Sequence, residues 1–339
     1  MTPREEFLAR LSGDTSEHIP SFIYQSTNCM ELLNLPTADF FKDDFNGELY
    51  GKAVVASMKR SDASATTGTF RTIDIADLGG VMEYVDVPYI SKKAFGNPED
   101  FYRHTPQDVM RSLNGSKRCF EYIRKNLPDR GLVLNTGTGL SQAGILRGIE
   151  DFFMDLASEP EFAMEEVKFG EELTKLCIDE ITPIDIDMVL ISGAYDSITF
   201  MSFDDLKKYS FDVVQRMIDY SHRKGEYVFY GPFDSKHDDR NMKVMREYKS
   251  MNPDALSLNN GFTLDDMYSL DGECNAYFFG VNPIDTVYMG SEETIRKDTV
   301  DCLKSMDEHC VFTYGADRDI PVSKIDCISQ AVENYNNGL

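Results

Sequence analysis

MVLISGAYDSITFMSFDDLKKYSFDVVQRMIDYSHRKGEYVFYG, residues 188–231, holds one complete strand–helix–strand unit. Met188–Gly193 is a continuous apolar run ending in small residues, the pattern of a strand covered on both faces and therefore of a parallel sheet. From Ser202 to Lys224, apolar Leu206, Tyr209, Val213 and Met217 recur at spacings of three and four, one stripe of a helix. Gly225 closes that helix as a left-handed cap, and Glu226–Gly231 (EYVFYG) begins the next strand.

The same alternation extends in both directions. Upstream strand runs are Ile19–Gln25 (IPSFIYQ), Ser61–Thr67 (SDASATT) and Gly131–Thr136 (GLVLNT). Downstream ones are Ala255–Asn260 (ALSLNN), Ala276–Val281 (AYFFGV) and Cys310–Gly315 (CVFTYG). Helical patterns lie between them: Ser158 to about Ile181, opened by the capping-box sequence Ser158-Glu159-Pro160-Glu161, then Arg240–Tyr248, Ser291–Asp307 and Ile325–Tyr335. Eight strands alternating with helices predict an α/β fold, a (β/α)8 TIM barrel, with a doubly wound open sheet as the alternative. The chain reads as a single TIM-barrel domain over 1–339, with an N-terminal helix in 1–18. An insertion after strand two, 68–130, contains a hairpin (Val81–Ile90) and a helix.

Composition narrows the function. The 339 residues are 42% hydrophobic and include 22 Phe and 17 Tyr, which excludes global disorder. Lys and Arg total 34 against 58 Asp and Glu, a net charge of −24, so phosphate backbones and anionic lipid are repelled and neither nucleic acid nor membrane is an expected partner. No apolar run approaches the roughly 20 residues that span a bilayer. The charged start MTPREEFLARLSGD has no apolar core and does not read as a signal peptide. The 7 cysteines are odd in number and contain no CxxC, which predicts free thiols and a cytoplasmic protein.

In a barrel of this kind chemistry sits at the C-terminal ends of the strands. Those ends deliver Tyr24, Gln25 and Asn28, then Asn135, Ser192, Asp196, Tyr230, His237, Asn259, Asn282 and Arg318. The predicted mouth is rich in amides and hydroxyls, suited to a polar organic ligand; such residues also simply favour loop starts. His18 and His309 precede strands and fall at the other end, where they support stability. His222 sits in a helix tail, where a cation complements the dipole. His237 is the histidine near the mouth, a candidate acid or base or a metal ligand with Asp234, or a solvated loop residue. Gly137-Thr138-Gly139 and Gly144 follow a strand, but Gln142 occupies the third fingerprint position, so a tight turn is read rather than a dinucleotide site. No His or Cys pair has ligand spacing, and no metal site is predicted.

Several segments together resemble the uroporphyrinogen decarboxylase superfamily, and within it the corrinoid-dependent methyltransferase branch. Met1–Phe22 is similar to that family's opening helix and entry to strand one, and Leu132–Leu156 (LVLNTGTGLSQAGILRGIEDFFMDL) to its Gly-Pro-Phe-Thr segment and following helix. Ile186–Gly225 is similar to its fourth βα unit, Phe278–Gly290 (FFGVNPIDTVYMG) to its Gly-Asn-Val-Asp-Pro segment, and Asp319-Ile320-Pro321 to its closing stretch. The resemblance implies a TIM-barrel transferase, with a methyl group moving between a small molecule and a corrinoid, or cobalamin, carried by a partner protein. It also implies an arginine-rich segment after strand one in the decarboxylases, where this chain has Tyr24-Gln25-Ser26-Thr27-Asn28-Cys29-Met30. In the methyltransferases it implies zinc held by His-x-Cys after strand five and Cys after strand eight. Here those places hold Tyr230-Gly231-Pro232 and the neighbourhood of Arg318, so zinc is not expected.

The expected catalytic residues are Asp196, Tyr230 and His237. The expected substrate-binding residues are Tyr24, Gln25, Asn28, Asn135, Ser192, Asn259, Asn282 and Arg318, the last pairing with a carboxylate or with a neighbouring aspartate. Two other readings stand beside the methyltransferase: a decarboxylase-like lyase acting on a smaller acid, and a ligand-binding member without catalysis.

Overall fold

The computed structural model describes residues 1–41, 45–69, 73, 75–232, 239–258 and 261–339. In chain order the strands are β1 (Ser21–Gln25), β2 (Ala65–Thr67), β3 (Val81–Glu83), β4 (Tyr89–Lys92), β5 (Gly131–Gly137), β6 (Met188–Gly193), β7 (Tyr227–Pro232), β8 (Ala255–Ser257), β9 (Ala276–Phe279) and β10 (Cys310–Ala316). β1, β2 and β5 to β10 pair in parallel and close a ring, β10 returning to β1, with helices between successive strands: a (β/α)8 TIM barrel. β3 and β4 form an antiparallel hairpin outside the ring. The eight expected runs are the eight barrel strands, and Ser61–Thr67, the least apolar, contributes three residues, starting only at Ala65.

Local chemistry sets the helix ends. The helix expected from Ser158 starts two residues later, over Pro160–Ile181. Ser158 instead ends the helix Ile149–Ser158, its hydroxyl donating to the Met154 carbonyl at 2.7 Å. Pro160 opens the next helix because the N–H it lacks would have had no partner in a first turn. Gly225 adopts φ +86, and the N–H groups of Gly225 and Glu226 return to the His222 and Ser221 carbonyls at 2.9 and 3.2 Å, as expected of a left-handed cap. Within the segment 68–130, the helix Met110–Asn126 is the connection that carries the chain from β2 to β5.

Parallel pairing places partners on the same face, so the register identifies the interior. Phe22 pairs with Ala65, Val133 with Met188, Leu190 with Phe229, and Val311 with Phe278. All of these belong to one buried cluster, which also includes Phe7 and Leu11 of the N-terminal helix Pro3–Leu11. The Phe7 ring meets Phe278 edge-on at 6.1 Å, and Phe278 stacks on Phe229 at 4.2 Å. That helix therefore plugs the N-terminal end of the barrel. Arg4 anchors it, donating from Nε to Asp187 at 2.8 Å, while Asp187 also accepts from Arg124 Nη2 at 2.7 Å and the Leu132 N–H at 2.8 Å.

One buried carboxylate is poorly compensated. Glu166, in the helix Pro160–Ile181, lies 3.5 Å from Arg147 Nε, but that guanidinium is already engaged with Asp155 at 2.7 Å. Burial, and then the charge of Asp155, pushes the Glu166 carboxyl up to about 8. Because the folded state holds a proton that the unfolded chain releases near its ordinary value of about 4.3, stability falls as pH rises from there towards 8. Glu166→Gln is expected to remove this fall. Thermal unfolding should show the variant gaining more over the wild type at pH 8 than at pH 5, and equal gains at both would contradict the burial argument.

Candidate functional site

A cavity of about 300 Å³ opens at the C-terminal end of the barrel, directly above the apolar interior. Phe22, Leu190 and Phe229 form its floor, and Pro232, Val281, Pro283 and Val287 one side. Polar side chains enter from Tyr24, Ser192, Ser257 and Thr313. The expected mouth of amides and hydroxyls is thus corrected: the cavity is mainly apolar with a few hydroxyls. Gly231 and Gly315 occupy inward register positions, paired with Ser192 and Tyr24, and their lack of side chains leaves the space open. Pro283–Tyr288 is a π-helical turn, capped by Asn282, whose Oδ1 accepts the N–H groups of Ile284 and Asp285 at 2.9 Å each.

Three expected binding residues meet here. Tyr24 and Ser192 line the cavity, and Asn135 bridges them from β5. The Ser192 hydroxyl donates to Asn135 Oδ1 at 2.9 Å, and Asn135 Nδ2 donates to the Tyr24 hydroxyl oxygen at 2.8 Å. Burial, with a contribution from the charge of Asp317, pushes the Tyr24 phenol up to about 12, so it stays protonated at neutral pH.

The other expectations lie elsewhere. Gln25 is buried outside the ring, its Nε2 donating to Ser57 at 3.2 Å. Asn28 Nδ2 donates to the Ile320 carbonyl at 2.5 Å and ties the loop after β1 to the loop after β10. Asn282 is the cap just described. Arg318 does not face the cavity; its Nη1 donates to the Leu35 carbonyl at 2.6 Å and to Thr37 at 3.3 Å, and its Nε stands 3.7 Å from Asp86 rather than pairing with Asp317 or Asp319. Tyr230 pairs with Ile191 and Leu256, one position out of phase with the inward Phe229 and Gly231, and packs edge-on against Tyr248 at 4.9 Å on the helix side. His237 and Asn259 lie outside the described residues.

Asp196 is fully buried behind the end of β6 and is not among the cavity-lining residues. Its carboxylate accepts from Thr138 at 2.6 Å, from Ser141 at 2.8 Å, and from Ser210 in the π-helical turn Lys207–Phe211. Its backbone carbonyl accepts from the Tyr248 hydroxyl at 2.6 Å. Burial raises its pKa while the hydroxyl donors pull it back. These contacts give Asp196 a role in joining three segments around the barrel.

Ser257 and Thr313 are cavity residues that the sequence reading did not select. They sit at inward register positions, Ser257 opposite Phe278 and Thr313 opposite Phe22. Strict alternation counted from Tyr24 and Phe22 would have reached Thr313 on β10, but only with the pairing of β10 to β1 in hand. Gly231, Pro232 and Gly315 line the cavity, and among the described residues no group of three His, Cys, Asp or Glu could hold a metal; Asp234 and His237 lie outside them.

No family model matches the chain, and no curated protein does. A solved methyltransferase from Methanosarcina mazei superposes with a TM-score of 0.82 over 99% of this chain and 99% of that one, at 14% sequence identity. The two share a fold. A B12-independent methionine synthase from Shewanella sp. W3-18-1, solved in complex with selenomethionine, gives a TM-score of 0.52 at 10% identity, covering 86% of each chain. At these identities the similarity is one of barrel architecture.

Asp196→Ala is expected to lower stability by about 2–4 kcal/mol, because Thr138, Ser141 and Ser210 lose a buried acceptor. Urea unfolding measures the loss, and a variant as stable as the wild type would return Asp196 to the catalytic candidates.

Proposed function

We propose that this protein is a methyltransferase of the uroporphyrinogen decarboxylase-like superfamily, moving a methyl group between a small molecule in the cavity and a corrinoid carried by a partner protein. The observation that carries this reading is a small apolar cavity plugged from below by Phe7 and Leu11 and reached from the C-terminal face. A donor seated on Phe22, Leu190 and Phe229 has its acceptor above it, and at about 300 Å³ the cavity is too small for a corrin macrocycle. The acceptor therefore stays at the mouth, which suits a cofactor presented by another protein. Exposed Ile284, Tyr288 and Met289 stand on the same turn as Pro283 and Val287 and offer that protein apolar contacts. The barrel shared with a methyltransferase supports the same reading.

Transfer in such a site depends on alignment: donor methyl, acceptor and leaving atom must lie in line, and an enclosed apolar floor restricts the donor's orientations. A lyase acting on a small acid would need a cation facing the cavity to hold the substrate carboxylate. Arg318, expected to supply it, is committed to Leu35 and Thr37.

Incubation with cob(I)alamin and methoxy, methylamine or methylfolate donors is expected to alkylate the cobalamin with at least one donor class, read as loss of the cob(I)alamin absorbance. Silence across all three classes, with a ligand still binding at the mouth, would leave the non-catalytic binding reading. We further expect purified protein to carry no stoichiometric zinc and its activity to survive a chelator. Zinc at one per chain would require ligands other than those at the family's positions.

A further inference from the structure

Tyr24, Asn135 and Ser192 form a directed chain of hydrogen bonds at the edge of the apolar floor. An amide has one accepting end and one donating end. The Ser192 hydroxyl gives its only proton to Asn135 Oδ1, so the NH2 of Asn135 faces Tyr24. The phenol oxygen is thus already an acceptor, and its own proton is left for another partner. Among the described residues no atom takes that proton, and Tyr24 lines the cavity. Among the described residues the neighbouring cavity side chains contribute no charge: Phe22, Leu190 and Phe229 below, Ser257 and Thr313 beside.

We propose that Tyr24 is the proton donor to the heteroatom of an uncharged methyl donor bound in this cavity, with Asn135 and Ser192 as positioning residues. The chemical step rests on the methyl-transfer reading; the binding role does not. In that step the bond between methyl carbon and heteroatom breaks with its electron pair left on the heteroatom, and the Tyr24 Oη proton passes to that atom. The methyl carbon forms its new bond with the electron pair of the reduced corrinoid, and the phenolate regains a proton from water. A phenol held well above its ordinary pKa by burial and by Asp317 yields its proton readily only to a strongly basic leaving atom. Alkyl ethers and alcohols are therefore favoured over aryl ethers, whose leaving oxygen is a weaker base. A carboxylate-bearing donor would be desolvated against the floor with no cation among the described lining residues.

Two probes of similar size separate the binding role from everything else: acetophenone, which has an acceptor oxygen, and ethylbenzene, which has none. Calorimetry on the full chain is expected to show acetophenone binding at least about tenfold more tightly, the value of one well-made hydrogen bond at about 1.4 kcal/mol. Tyr24→Phe should abolish the preference while leaving ethylbenzene affinity unchanged. Ser192→Ala should weaken it, and Ser192→Thr, which keeps the hydroxyl, should restore it; a thermal melt verifies that each variant is folded. Equal binding of the two probes by the wild type, binding of neither, or an intact preference in Tyr24→Phe would overturn the proposal. Neither probe carries a transferable methyl on a heteroatom, so discrimination without cobalamin alkylation would remove the methyl-transfer reading and leave Tyr24 as the cavity's donor. Where alkylation occurs, Tyr24→Phe should lower kcat by about 10²–10⁴-fold.

Discussion

The pairing of β10 with β1 turns a row of strands into a ring, and the cavity exists because of that closure. Its register sets Phe22 against Thr313 and Tyr24 against Gly315. Combined with the two-residue alternation of every strand, this decides for all eight strands which side chains face inward. Tyr24 and Asn135 are 111 positions apart in the chain, and Asn135 and Ser192 are 57 apart. Closure brings them to one rim, where hydrogen bonds of 2.8 and 2.9 Å align them. In an open sheet with the same strands, Tyr24 and Thr313 would stand at opposite edges.

Polarity is divided along the barrel axis. The N-terminal helix fills the lower end with Phe7 and Leu11, and aromatic stacking continues upward through Phe278 and Phe229 to the cavity floor. Above it, glycines at inward positions leave room and a few hydroxyls define direction. Polar groups at the strand ends are otherwise used to bind loops to one another: Asn28 to the loop after β10, Asn282 to its own π-helical turn, and Asp196, through its carboxylate and its carbonyl, to the segments of Thr138 and Ser141, of Ser210 and of Tyr248. Asn28 and Asp196 satisfy groups that burial would leave without water, while Asn282 caps an exposed turn.

This double use explains which parts of the site were legible. A polar residue ending a barrel strand has two destinations, the lumen or the helix layer, and they differ by a single step along the chain. Tyr230 and Gly231 are adjacent; the tyrosine drew attention by its chemistry, yet the glycine faces the cavity. Asp196 had the right composition and place for a catalytic acid but lies just past the strand end, where three hydroxyls surround it. Arg318 follows β10 by two residues and turns outward to a carbonyl of the loop after β1. Ser257 and Thr313 were overlooked because nothing in their immediate sequence separates them from the Ser and Thr residues that face the helices.

The amino-acid sequence alone determined the eight apolar runs, the helices between them, the left-handed cap at Gly225 and thereby the barrel, because those patterns are local and repeat with the periods of strand and helix. It also determined a net charge of −24. Tertiary structure decided which side of each strand meets the cavity, which polar groups became loop ties, and that the lumen is chiefly apolar. Those outcomes depend on register and ring closure between residues far apart in the chain, and a one-residue shift in pairing exchanges inside for outside.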